Sequence, residues 1–383
     1  MRPSYIAYIG TYPPRQCGIA TFTQDLSTAI SNRSIYKTKP KIIALTNGFS
    51  TDLEYPKEVM YNINETLIED YINVAKKINQ TRSIKLVCVQ HEFGIYGGKF
   101  LNYLSAFLET IEKPVVLTLH SVVPKPPANL RYTIKYLAEK TSALIVMADK
   151  AVDILTNDYK IPRERITVIP HGIHKVPFER SSKQKKKLKL RNKLVITSFG
   201  LISGGKDYET IIKALPPVVK KFPNLLYLII GATHPGILKQ EGEKYRYYLT
   251  GLIDGLNLQK NIRFVNKYLK LNKLLQYLRA TDVFVSSGKG LGQITSGTLS
   301  YAMGCGRPVV TMPFMHAKEI VTSDRGILVP MGNSKAYTKA LIRLLSNPGL
   351  RLRMGQNCYD FTRHMLWSNV AKSYLDLFDQ NLN

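Results

Sequence analysis

The segment GLISGGKDYETIIKAL, residues 200–215, sets two adjacent glycines and a lysine between a strand-like run and a helical pattern. At such a junction the unpaired N–H groups of the first helical turn and the positive end of the helix dipole point outward, and glycine lets a ligand approach the backbone. Lys206 adds a mobile cation there. Gly204, Gly205 and Lys206 together suit a diphosphate. The segment is not a Walker loop, and the dinucleotide fingerprint GxGxxG is absent too. A second junction of this kind is CGIATFTQDL, where Gly18 precedes small residues at the start of a helical pattern. A third stretch, GQITSGTLSYAMGCGRPVV (292–310), offers Gln293, Thr295 and Ser296 at a helix start. Amide and hydroxyl groups both donate and accept, so these residues suit a neutral, hydroxyl-rich ligand such as a sugar.

Groups of this kind need a frame. Short apolar runs recur along the chain: YIAYIG, KIIAL, IKLVCVQ, PVVLTLH, ALIVMA and ITVIPHG in the first half, then LVITSFG, LLYLIIGA, IRFVNK, DVFVSS, RPVVTM and GILVP. Each is followed by a polar or glycine-rich turn and, in most cases, a helical pattern. Continuous apolar strands alternating with helices predict parallel sheets covered on both faces. The chain therefore reads as α/β, with two doubly wound, Rossmann-like domains facing across a cleft. Its 383 residues are enough for two cores. The expected division is a first domain over 1–180, a basic linker over 181–193 (SKQKKKLKL and its flanks) and a second domain over 194–364. The amphipathic pattern over 350–378 predicts one or two helices with Trp367 as a packing anchor, and a C-terminal helix, 365–383, is expected to pack back on the first domain. In such folds ligands sit beyond the carboxyl ends of the strands.

Fifty-four Lys and Arg against 27 Asp and Glu give a net charge of +27. Such a field steers anionic partners without choosing among nucleic acid, a nucleotide-linked substrate and an acidic membrane. No helix-turn-helix, RNP or zinc motif supports nucleic acid, so that partner is set aside. The four cysteines are widely spaced, without CxxC, and predict neither a zinc knuckle nor a disulfide framework. The first residues lack a basic leader with an apolar core, and no apolar run reaches the length of a membrane span. The expectation is a cytoplasmic protein, with peripheral contact to the inner face of the membrane open to it.

Taken together, TYPPRQCGIATFT, QHEFGIYGG, TLHSV, PHGI, FGLISGGKDYE, GATHP, TDVFVSS, SGTLSYAMGCGRPVV, HAKEIV and RGILVP resemble glycosyltransferase family 4, the retaining, nucleotide-sugar-dependent enzymes of GT-B fold also called glycosyl transferases group 1. The resemblance is to a branch with QITSGTLxYA in place of the usual two-glutamate motif. It implies transfer of a hexose of mannose or glucose type from a GDP- or UDP-linked sugar to a sugar or lipid-linked sugar, with no metal and no other cofactor. By resemblance, His120 lies near the sugar carbon under attack, Lys206 pairs with the donor diphosphate, Glu319 lies near the nucleotide or its phosphates, and Gly18 belongs to a loop that closes on the donor. The two family glutamates, eight residues apart, fall here on Gln293 and Tyr301, and no arginine occupies the neighbourhood of Leu201, Ile202 and Ser203 where a second cation is usual. Gln90, His91 and Glu92, at a strand end, are expected to bind the acceptor sugar. His316 is read either as a contact to the donor sugar or phosphate or as a residue that hydrogen-bonds its loop; His171 and Arg15 are open in the same way. Loss of the ribose-gripping carboxylate at Tyr301 keeps two alternatives in view: a GT-B glycoside phosphorylase using sugar-1-phosphate, and a catalytically impaired sugar-nucleotide-binding homologue.

Overall fold

The structure is a computed structural model that describes residues 5–33, 39–47, 53–98 and 102–382. The chain divides into two compact units, one of Met1–Gly172 with Met365–Asn383 and one of Ile173–His364.

The first unit holds a seven-stranded parallel sheet of β1 (Tyr5–Gly10), β2 (Lys41–Thr46), β3 (Val59–Asn64), β4 (Ile84–His91), β5 (Val115–Leu119), β6 (Ala143–Val146) and β7 (Ile166–Val168), in the order β3-β2-β1-β4-β5-β6-β7. The apolar runs form these strands because both faces are covered, so alternation with polar residues is lost. β3 is the exception. It escapes a search for apolar runs because, as an edge strand, it buries only Ile63. The closing helix, Trp367–Leu382, packs on the first helix, Gly18–Arg33, through a shared core of Phe22, Leu26, Val370, Tyr374 and Phe378. Gly172 permits this approach, since a Cβ there would lie 2.2 Å from the Trp367 ring.

The second unit holds a six-stranded parallel sheet of β8 (Leu194–Phe199), β9 (Leu225–Ile230), β10 (Ile262–Val265), β11 (Val283–Ser286), β12 (Val309–Thr311) and β13 (Gly326–Leu328), ordered β10-β9-β8-β11-β12-β13. Strand order reverses beside β1 and β4 in the first sheet and beside β8 and β11 in the second, and each reversal opens a crevice at the carboxyl ends of those strands.

The expected boundaries change in one respect. Residues 173–180 belong to the second unit, and 181–193 is not a solvated linker. Ser182–Lys187 is a helix, Gln184, Lys185 and Leu190 are buried, and Lys185 pairs with Asp282. The cause is Asp282, just before β11, which accepts from Ser181 Oγ and from the Val195 N–H as well as from Lys185. A buried carboxylate with one cationic partner holds the run that the lysine content alone would leave in water.

Candidate functional site

In the second unit the turn after β8 is a short 3-10 helix, Gly204–Lys206, leading into the helix Tyr208–Lys221. A Cβ on Gly204 would meet nothing within 4 Å and one on Gly205 only Ser203 Oγ at 3.8 Å, so both glycines present open backbone. Gly231 at the end of β9 explains how that turn is set: its φ is +151° and a Cβ there would sit 1.9 Å from the Gly200 carbonyl oxygen. Lys206 is half-buried, and no acceptor or carboxylate among the described residues bonds its amine. Burial without a counter-charge holds its pKa below the ordinary lysine value. Asp207 also has positive φ, 50°, and is locked from both sides: Thr210 Oγ1 donates to Oδ1 at 2.9 Å, and Ser287 Oγ lies 2.6 Å from its carbonyl oxygen. The loop after β11 is joined to the same turn by the bond from Lys289 N–H to the Gly205 carbonyl, 3.0 Å. Lys289 itself pairs with Glu209 at 3.1 Å.

That loop continues into the helix Gly297–Gly304, and its polar residues divide by role. Gln293 is exposed, its amide donating to the Thr295 carbonyl at 2.7 Å. Thr295 Oγ1 is buried and has no hydrogen-bond partner among the described residues. Ser296 is corrected from ligand donor to helix cap: its Oγ accepts from the Leu299 N–H at 3.3 Å and the residue is buried. His316 is corrected likewise. It is buried, its Nδ1 accepts from the Ser296 N–H at 3.0 Å, and its own N–H donates to the Gln293 carbonyl at 3.1 Å, so of the two readings the structure gives the loop-holding one. Glu319 follows one turn later on the helix Met315–Ile320, half-buried. Tyr301 is buried; its hydroxyl lies 3.2 Å from His174 Nε2 and its ring stacks on Phe199. His174 carries no motif signal and was not legible as part of this site.

In the first unit the residues after β1, β4 and β5 converge. His120, just past β5, is buried and sets its ring edge-on to Phe22 with centroids 4.6 Å apart. Its Nε2 lies 2.9 Å from Gln90 Oε1, which fixes that nitrogen as the donor, and the Gln90 amide in turn donates to Cys88 Sγ at 3.2 Å. Burial, together with His171 and His91, holds the His120 pKa well below the ordinary histidine value, so the ring is neutral. Phe22 also touches the rings of His171 and Trp367, which makes His171 part of this aromatic cluster. Gly18 opens the first helix with clear space where a side chain would be. Arg15 is committed to Glu65 at 2.8 Å and to the Leu45 carbonyl.

The expected acceptor triad does not stand as a surface. Gln90 and His91 are completely buried because β4 ends beneath the following loop: Tyr96 donates to the Gln90 carbonyl and stacks on the His91 ring. Gln90 positions His120, and neither ring nitrogen of His91 has a hydrogen-bond partner among the described residues. Glu92 is half-buried, accepting from Ser121 Oγ at 2.8 Å and from the Phe93 N–H, and burial raises its pKa. Burial lowers the His91 pKa to about 4, so the fold favours the neutral ring and its contribution is complete above the unfolded value of 6.5. Stability should fall as pH drops from 6.5 towards 4, by roughly 3 kcal/mol from this group. Unfolding midpoints measured across that range should show a shallower acid loss in His91→Leu than in the wild type, and parallel curves would contradict this.

Among the described residues no group of three His, Cys, Asp or Glu is arranged to hold a metal ion, and no helix is long and apolar enough to cross a membrane. The model for glycosyl transferases group 1 matches residues 179–361, and that for glycosyltransferase family 4 matches 70–175. An uncharacterized glycosyltransferase of Methanocaldococcus jannaschii is 25% identical over 303 residues, 75% of this chain and 74% of that protein. A phosphatidyl-myo-inositol mannosyltransferase of Mycobacterium leprae is 28% identical over 175 residues, which span 45% of this chain and 43% of that relative. Among solved structures, Anabaena HepE in complex with UDP and glucose superposes with a TM-score of 0.76 at 16% identity, covering 98% of this chain and all of that one. A sucrose-phosphate synthase of Thermosynechococcus elongatus gives 0.76 at 18% identity, covering 98% of each chain. With two doubly wound parallel sheets, strand-end loops of this composition and family matches in both units, the chain belongs to the family 4 glycosyltransferases and has the GT-B fold.

Proposed function

We propose that this chain transfers a hexose, of mannose or glucose type, from a UDP- or GDP-linked sugar to a sugar or lipid-linked sugar acceptor, with retention and without a metal. The observation that carries the reading is Lys206, a desolvated amine without a counter-charge on an open glycine turn. A departing nucleotide diphosphate develops negative charge, and a preorganised cation with backbone N–H groups stabilises that charge without reorganisation. Thr295 Oγ1, buried and unpartnered, and exposed Gln293 supply hydrogen bonds for sugar hydroxyls. His120, held neutral with Nε2 donating to Gln90, keeps its lone pair on Nδ1 and serves to orient a sugar rather than to attack it. Retention follows if the acceptor hydroxyl attacks from the side the phosphate leaves, with a phosphate oxygen taking its proton. HepE was solved with UDP-glucose, and relatives include mannosyltransferases, which supports a nucleotide-sugar donor while leaving both bases in play. The charge of +27 favours work in the cytoplasm at an anionic membrane face, where lipid-linked acceptors are found.

One observation favours a second reading. Tyr301, where a ribose-gripping carboxylate is usual, spends its hydroxyl on His174, and a phosphorylase using sugar-1-phosphate has no ribose to hold. Unfolding midpoints with nucleotide diphosphates, nucleotide sugars and sugar-1-phosphates separate the readings. A ligand present at a hundred times its Kd stabilises by about 2.7 kcal/mol, and for the proposed function that shift appears with one nucleotide and its sugar. A shift confined to sugar-1-phosphates would replace the transferase reading with the phosphorylase, and no shift at all would mark a disabled homologue.

A further inference from the structure

The second unit has a recess at the pole of its sheet opposite the strand ends described above. Its walls come from residues that precede strands: Asp282 before β11, and Arg307 with Pro308 before β12. Arg180 and Ser182 from the segment leading to β8, and Gly349 and Arg351 from the helix Pro348–Phe361, complete it. The cavity measures about 470 Å³, within the range of small-molecule sites. Strands advance about 3.3 Å per residue, so the three and four residues of β12 and β11 separate it from the loops carrying Lys206 and Gln293 by roughly 10 Å or more.

Its charges do not balance. The two acids of the wall are already matched: Asp282 by Lys185, and Glu179 by Arg279 and Lys183. The three arginines exceed what these acids can balance: Asp282 also acts through space on Arg307 and Arg351, and Glu179 on Arg307, but neither forms an ion pair with them. Among the described residues no carboxylate pairs with Arg180, Arg307 or Arg351. Arg307 is only 5% exposed, yet all its bonds go to main-chain carbonyls, those of Cys305, Arg279, Thr281 and Glu179. Arg351 gives one nitrogen to the Leu344 and Leu345 carbonyls at 2.7 Å, and the rest of its guanidinium has no acceptor among the described residues. Arg180 is exposed, and its side chain makes no hydrogen bond or ion pair among the described residues. Carbonyl oxygens satisfy hydrogen bonds but do not neutralise charge, and a buried cation without a counterion is costly. Burial holds the Arg307 and Arg351 pKa values below the ordinary arginine range and outweighs the opposing pull of Asp282 on both and of Glu179 on Arg307.

We infer that this recess is a second anion site, separate from the catalytic loops, and that its ligand is a small phosphate-bearing anion held by Arg180 and Arg351 over the fixed charge of Arg307. Guanidinium groups bind phosphate oxygens in bidentate fashion, and a surplus of guanidinium charge over carboxylate suits a diphosphate-sized group. Because β11 and β12 each run from this wall to the other pole, an occupant would bear on the same two strands whose far ends carry Ser287 and Met312.

The test is calorimetric titration of the full chain with inorganic pyrophosphate in a Lys206→Ala background, which weakens binding at the donor loop. Saturable binding is expected there, and Arg180→Ala and Arg351→Gln should each weaken it about tenfold, the worth of one charge-assisted hydrogen bond. Arg180 is exposed, so its variant folds even if Arg351→Gln, which gives up two carbonyl contacts, does not. Vesicles carrying phosphatidic acid identify the source. Arginine-dependent binding of pyrophosphate alone assigns a free solute, and arginine-dependent vesicle binding assigns a lipid headgroup. No binding of either probe to the Lys206→Ala protein, or binding that both arginine variants retain unchanged, overturns the inference.

Discussion

Lys206→Ala is expected to lower kcat for hexose transfer by about two to three orders of magnitude, with a smaller change in KM for the donor. The reason lies in where the charge sits. The amine is desolvated and has no partner among the described residues, so the free protein bears a cost that only an incoming anion relieves. An interaction that strengthens as the diphosphate leaves acts on the barrier, whereas one made equally with the bound sugar nucleotide would act on KM. Steady-state kinetics with the donor identified by the stabilisation screen gives the answer. Activity within threefold of wild type would remove Lys206 from the chemistry and leave the open glycine turn without an assigned use. Lys206→Arg is the informative companion: it keeps the charge but spreads it over a planar fork, and partial activity there would show that position matters as well as sign.

The second large effect concerns stability. Lys185→Met should destabilise the protein by about 3–5 kcal/mol, since it strands the Asp282 carboxylate in a buried site with only Ser181 and the Val195 N–H as donors. For a unit of this size that corresponds to a fall of roughly 10 °C in unfolding midpoint. Combining it with Asp282→Asn should recover part of the loss, because the uncompensated charge goes with the carboxylate. Heat or urea unfolding of the single and double variants measures both numbers. A single-variant loss below 1 kcal/mol would mean that the pair is solvated.

These two lysines mark the reach of a reading made from sequence. Lys206 was legible because everything that defines it is local: a strand, two glycines and a helix start within a dozen residues. Lys185 was not, because its partner lies 97 residues away and nothing in the lysine run announces it. The apolar runs gave twelve of the strands for a related reason, since parallel strands are covered on both faces and lose polar alternation. β3 kept a mixed pattern, and only the sheet order explains why. Strand ends were legible as places but not as surfaces. Gln90 and His91 end a strand as expected, yet Tyr96, from the next loop, closes over them, and that depends on a loop path which composition does not specify. Ser296 has a cap signature, a serine before an apolar helix, and a hydroxyl that suits a ligand equally well in sequence; the structure shows it capping the helix. Tyr301 drew notice as a departure from a family motif; what it does instead required His174, 127 residues earlier.

The closing helix, Trp367–Leu382, belongs to the same core as Phe22 and Leu26, although the whole of the second unit intervenes in the chain. This has a consequence for biosynthesis. Residues 173–364 form a continuous stretch that is synthesised before Trp367–Leu382 and can gather its own core first. The earlier-made unit must meanwhile wait, with the apolar face of Gly18–Arg33 uncovered, until the sixteen-residue helix Trp367–Leu382 emerges. Translation order and order of completion are therefore reversed, and a chain halted before residue 365 would display that face to chaperones and to other chains.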